Sequence, residues 1–280
     1  MKSPPSRHIL HYSQGGRNRF VTTYYTILFM LLHNSEGNYS FLRGGAPYSA
    51  GVVASEGFTV EHVRLTSSMS WRAGFDAVSQ HLQAAGRPRA ALCGVELRSP
   101  APLTFDGFRE FNAGYADLLK SWNVFVDGVN PIARTNVAPE LDPPVEPSVY
   151  AFSYTVPSPS AGPSFVVAGA GELPDNTTDL NAIIRRGETS PDAVEEKARF
   201  VLDLLQKRLF GLGMAWKDVT ATNAYTVLDL NAALRSEVLG RLDRGARHGV
   251  TWYYSRPPIA ELEFEMDVRA CARELVLSLG

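Results

Sequence analysis

Two cysteines in 280 residues, Cys93 and Cys271, each set in an apolar context, leave no material for a disulfide framework, and the chain reads as cytosolic. The net charge of -2 contains no basic block, which argues against nucleic acid as a partner. The 6 histidines are scattered without metal-ligand spacing, so no metal is expected. No G-x-S-x-G elbow is present to support an acyl-serine mechanism. The Gly169-x-Gly171 pair lacks a third glycine, so no dinucleotide, and no cofactor of any kind, is expected. The apolar run from Phe20 to Leu32 follows Arg7, Arg17 and Arg19, yet it is too short to cross a bilayer and no small-residue cleavage site follows. Membrane association is therefore not expected either. Residues 1–40 read as an extension, either disordered, docked or a targeting segment, or as the product of a mis-assigned start, with Met30 the alternative.

What the chain does have is 45% hydrophobic residues, enough for a core in each of two domains, and one motif that occurs twice. Ala133-Arg134-Thr-Asn-Val137 and Ala246-Arg247-His-Gly-Val250 both read A-R-x-x-V. Leu- and Ala-rich helices precede both copies and end at Gly86 and Gly213, with a strand starting six residues later each time. The first unit spans 41–156, the proline-rich stretch 157–164 is a linker, and the second unit spans 165–280. Helical spacing of Phe75, Val78 and Leu82 predicts a helix over 71–85, and Phe108, Phe111, Tyr115 and Leu119 predict another over 106–121. Ser190 before Pro191 predicts the start of a long helix over 191–212, and 231–242 a shorter one. Strands are expected at 90–97, 149–156, 165–171, 218–228 and 262–268. The fold class is α+β: two mixed sheets, each with helices packed on one face.

A guanidinium fixes a carboxylate through two parallel hydrogen bonds, so Arg134 and Arg247, placed alike in the two copies, are the leading candidates for holding a carboxylate substrate. Each also fits a surface residue or a structural ion pair. Arg256, held extended by Pro257, is a further clamp candidate. Tyr48 is a candidate cleft wall, as are Tyr253 and Tyr254. Leu262 to Arg269 alternates strictly, putting Glu263, Glu265, Asp267 and Arg269 on one face, which on its own means a half-solvated strand.

The stretch 218–231, D-V-T-A-T-N-A-Y-T-V-L-D-L-N, resembles the strand-to-helix segment of the Rid (RidA/YjgF/UK114) family. Gly171-Glu172-Leu-Pro resembles that family's turn, Pro47-Tyr48-Ser49 its opening, Arg134 and Arg247 its arginine, and Glu263 its glutamate. Ser148 stands at the glutamate position of the first unit, so that half resembles an incomplete catalyst. The ending from Arg256 to Glu265 is similar to long Rid-like proteins associated with aminomuconate and chloroaminomuconate deamination.

The resemblance implies two tandem Rid-like, chorismate-mutase-like domains, in a trimer or pseudo-trimeric assembly. It implies a deaminase that hydrolyses an enamine or imine acid, of 2-aminomuconate type from aromatic degradation, to ammonia and an oxo acid. Glu263 and Arg247 would be catalytic; Arg134, Tyr48, Arg256, Gly171 and Glu172 would bind substrate. The rival readings are a non-catalytic metabolite-binding protein and a chorismatase-like hydrolase.

Overall fold

The computed structural model describes residues 31–279 apart from 46, 160, 161 and 176. The expectations for residues 1–30, including a start at Met30, lie outside it. Residues 31–40 form strand β1 (Leu31–Asn34) and begin β2 (Tyr39–Leu42), a hairpin whose Tyr39 and Phe41 are wholly buried. Strand β3 (Gly51–Ala54) then leads into the long β4 (Phe58–Ser70).

The periodic segments become the helices expected of them. Helix α1 (Trp71–Ala84) buries Phe75, Val78 and Leu82 on one face, each worth about 1.5–3 kcal/mol of transfer free energy. It is followed by β5 (Leu92–Arg98), α2 (Phe105–Ser121), β6 (Ala133–Pro139) and β7 (Ser148–Pro157). The Thr104 hydroxyl caps α2 by accepting from the Gly107 N–H. After β8 (Phe165–Gly171), α3 (Pro191–Gly211) starts with Pro191 in its first turn, although the Ser190 hydroxyl caps no backbone N–H. Gly86 and Gly213, just beyond α1 and α3, have φ of 67° and 76°, the left-handed conformation that ends both helices alike. Strand β9 (Ala221–Tyr225) precedes a helical stretch interrupted by a π turn at Leu234–Val238. Strands β10 (Thr251–Tyr253), β11 (Ser255–Arg256), β12 (Glu265–Ala270) and β13 (Arg273–Leu277) complete the chain.

One strand order occurs twice. The first sheet contains β4-β7-β5-β6 and the second β8-β12-β9-β10, in each case first, last, second and third strand of the unit. Both sheets are extended by strands from the other end of the sequence. The hairpin β1-β2 and strand β3 add to β8 of the second sheet, whereas β13 pairs parallel with β4 and β11 antiparallel with β6 of the first. Helices α1 and α2 cover one face of the first sheet, and α3 with the 231–241 stretch covers one face of the second. The other two faces meet. Tyr39, Phe41, Val52 and Ala168 of the second sheet pack there on Val60, Cys93 and Ala133 of the first. Beside this apolar patch the interlayer is polar: Thr135 donates to Asp267 at 2.8 Å and Arg269 to Glu96 at 3.4 Å.

Candidate active site

At one end of the interlayer lies a cavity of about 760 Å³, bounded by α2, β6, the end of β8 and the start of β12. Arg134 comes from β6 and is 3% exposed. Its guanidinium carbon stands 4.6 Å from the centre of the Tyr48 ring and 4.8 Å from that of Tyr115, with Phe108 at 5.5 Å and Phe111 at 5.8 Å. Aromatic faces attract a cation more strongly once water is excluded, so this cage holds the charge without neutralising it. The Asn130 amide donates to the Pro47 carbonyl while its oxygen accepts from the Ile132 N–H, and Ile132 accepts from the Ser49 N–H. These bonds tie the turn carrying Tyr48 to the start of β6. The Arg134 Nη1 has no hydrogen-bond partner among the described residues.

Two ionisable groups from the other half line the same cavity as Arg134. Arg208 of α3 donates from Nη1 to the carbonyls of Ala168 (2.9 Å) and Gly169 (3.2 Å), and from Nη2 to Asp175 at 2.8 Å. Its buried Nε is also without a partner. Glu265, 5% exposed on β12, lies against Gly169 so closely that a Cβ at that position would sit 2.1 Å from its Oε1. A side chain there would displace the carboxyl; only glycine admits it. Burial, then the nearby carboxylates of Asp267 and Glu172, push Glu265 up to about 8 against the opposing pull of Arg134 and Arg208. Such a group is a protonated acid at neutral pH, poised to move a proton. Asp267, deeper in the interlayer, is fixed by hydrogen bonds from Thr135, Asn223 and Tyr225. Among the described residues, no three His, Cys, Asp or Glu side chains converge as a metal site.

Of the seven residues that the resemblance assigns to the site, Arg134, Tyr48 and Gly171 line this cavity. The other four stand elsewhere. Arg247 is exposed in a turn after the helical stretch and donates to the Arg244 carbonyl. The sheet registers explain why the shared motif misleads. Val137 pairs with Arg98 on β5, and Tyr253 pairs with Tyr225 on β9, while Arg98 and Tyr225 lie opposite Ser148 and Glu265 respectively. Val137 therefore corresponds to Tyr253, and Arg134 to Val250, not to Arg247. Arg256 is engaged by Glu140 through bonds of 2.6 and 3.1 Å. Glu172 is fully buried, bound to Lys197 at 3.1 Å and accepting from the Glu263 and Phe264 N–H groups. It anchors the approach to β12 rather than facing the cavity. Glu263, which precedes β12, contributes its backbone to that anchor, and Glu265, the first residue of the strand, takes the position in the cavity.

Arg208 and Asn136 are among the buried polar cavity residues that sequence reading passed over. For Arg208 a signal existed: it falls on the buried stripe Val194, Ala198, Val201, Leu205 of α3, where a charge needs a reason. Asn136 offered none.

Residues 31–275 match the family described as 2-aminomuconate deaminase CnbZ. The 2-amino-5-chloromuconate deaminase of Comamonas testosteroni is 43% identical over 246 residues, covering 87% of this chain and 97% of that one. Among solved structures, a chorismatase covers 84% of this chain and 77% of its own at 15% identity and a TM-score of 0.42. The YjgF gene product of E. coli covers 41% of this chain and 84% of its own at 16% identity and a TM-score of 0.27. The extent of the family match and the identity to the Comamonas enzyme establish that this chain belongs to the 2-aminomuconate deaminase CnbZ family.

Proposed function

We propose that the chain deaminates an aminomuconate, an unsaturated dicarboxylate bearing an enamine, by hydrolysis to ammonia and an oxo acid, in the cavity between Arg134 and Glu265. The observation that carries this is that the guanidinium groups of Arg134 and Arg208, each with a buried nitrogen that has no partner among the described residues, line one cavity with the Glu265 carboxyl group. Buried donors of this kind call for acceptors, and a dicarboxylate brings one at each end. The neutral state of Glu265 also spares a dianion the repulsion that an ionised carboxylate would exert.

In this reading Glu265 gives its proton to the enamine carbon, which turns the carbon–nitrogen unit into an iminium. The carboxylate left behind takes a proton from water as the oxygen adds to the iminium carbon. The regained proton passes to the amino group; the carbon–nitrogen bond breaks, ammonia departs with the bonding pair, and the hydroxyl proton returns to Glu265 as the carbonyl forms. Atoms balance as enamine plus water giving oxo acid plus ammonia. The iminium is already electrophilic, so orientation and one proton carrier suffice for the chemistry. Support for two tandem Rid-like units comes from the repeated strand order and the paired glycines; each half would then contribute one side of the site.

The test is to generate 2-aminomuconate enzymatically in water enriched in oxygen-18 and add the purified chain. Ammonia release above the uncatalysed rate, with label in the new carbonyl of the oxo acid, supports the proposal. No release above that rate removes it.

A further inference from the structure

The repeated strand order gives the cavity a counterpart at the corresponding edge of the first sheet. The row Gly171, Glu265, Tyr225, Tyr253 across the second sheet corresponds to Ser70, Ser148, Arg98, Val137 across the first. There a crevice of about 690 Å³ opens between the end of β4, the start of β7 and the loop that joins β6 to β7, with Ser70, Ser148 and Arg98 in its wall. The glutamate has become serine and the β6 arginine has no counterpart, yet the crevice has an arginine of its own. Arg98 is 4% exposed, and its guanidinium carbon lies 3.8 Å from the Tyr150 ring centre, 5.5 Å from Tyr253 and 5.7 Å from Tyr225.

The charge of Arg98 is only partly met. Its Nη2 stands 3.4 Å from Glu96, and that single carboxylate also faces Arg269 at 3.4 Å and His62 at 3.6 Å. Among the described residues its other hydrogen bond runs to the neutral carbonyl of Leu97. A caged, underneutralised guanidinium at the wall of a crevice is the arrangement that marks the first cavity. What is missing is an acid: the position of Glu265 is occupied by the Ser148 hydroxyl, which donates to the Glu146 carbonyl. At the rim stand the exposed carboxylates of Asp142 and Glu146.

We propose that this crevice is a second, non-catalytic binding site for the carboxylate of a small organic acid, held by Arg98 between tyrosine rings. Two sources of that carboxylate differ at the rim. An amino acid would add an ammonium for Asp142 or Glu146, whereas an oxo acid would bind through Arg98 alone. The proposal does not rest on the deaminase reading, since it concerns other residues and binding rather than turnover.

The test is calorimetric titration of the full chain with 2-oxobutyrate and, separately, with L-2-aminobutyrate, in Arg134→Ala protein so that the first cavity does not contribute. One-site binding of at least one of them, weakened about tenfold or more by Ser148→Glu, which sets a carboxylate beside Arg98, is the expected result. Binding of the oxo acid alone assigns recognition to Arg98, and binding of the amino acid alone adds the rim acids; either supports the site. Binding unchanged by Ser148→Glu, or no binding of either compound, overturns it. A crystal of the unmodified chain soaked in 2-oxobutyrate gives a reading free of variants. A carboxylate against Arg98 supports the site, and an empty crevice beside a filled first cavity overturns it.

Discussion

Arg134 carries its charge inside four aromatic rings, and that setting separates arginine from lysine. A guanidinium is weakly hydrated, stacks on rings and stays protonated when buried, whereas an ammonium in the same cage is compact, poorly matched to a planar carboxylate and prone to lose its proton. Arg134→Lys is therefore expected to raise KM and lower kcat/KM for 2-aminomuconate by about 10- to 100-fold, read by steady-state kinetics. Glu265 sets a second expectation. With its pKa pushed to about 8, it is the proton-bearing form below that pH. The rate should stay level up to about 8 and fall about tenfold per pH unit above it, a limb missing from Glu265→Gln. Stability follows the same sign: the folded chain keeps a proton that the unfolded chain has already released. The contribution of Glu265 is thus greatest in acid and is lost as pH climbs to about 8.

At the scale of elements, β12 does the positioning. Its approach is pinned by Glu172, whose carboxylate accepts from two consecutive N–H groups and is balanced by Lys197, both side chains fully buried. Removing one member of such a pair strands the other charge in a dry setting. Lys197→Met should cost about 3–5 kcal/mol in chemical denaturation, more than a typical core substitution. Much of this level could be read from sequence. Spacing of apolar residues located α1 and α2, because one helix face must be buried and its period is written in the chain, and Pro191 marked the start of α3. The alternation of Leu262 to Arg269 placed Glu263, Glu265 and Asp267 on a common face. Which of the three faces the cavity depends on where β12 meets β8 and β9, and no local pattern encodes that. The motif shared by Arg134 and Arg247 likewise does not fix their surroundings: Arg134 lies on a paired strand and Arg247 in a turn that precedes one.

For the molecule as a whole, long-range pairing shapes the site. The N-terminal hairpin completes the second sheet and the C-terminal strand β13 completes the first, so chain order and spatial order disagree at both ends. Sequence reading had no means of seeing this exchange, which depends on contacts between residues more than a hundred positions apart. The same interleaving brings Arg134 of the first half and Glu265 of the second to one cavity. The central claim is that these two side chains serve a single site, and a double-mutant cycle on kcat/KM for 2-aminomuconate tests it most directly. If Arg134→Lys and Glu265→Gln act on one site, the double variant should lose little more than the more damaged single variant, because residues that work as a unit are not additive. If their effects multiply, or if either change leaves turnover as in the unmodified chain, the account is contradicted.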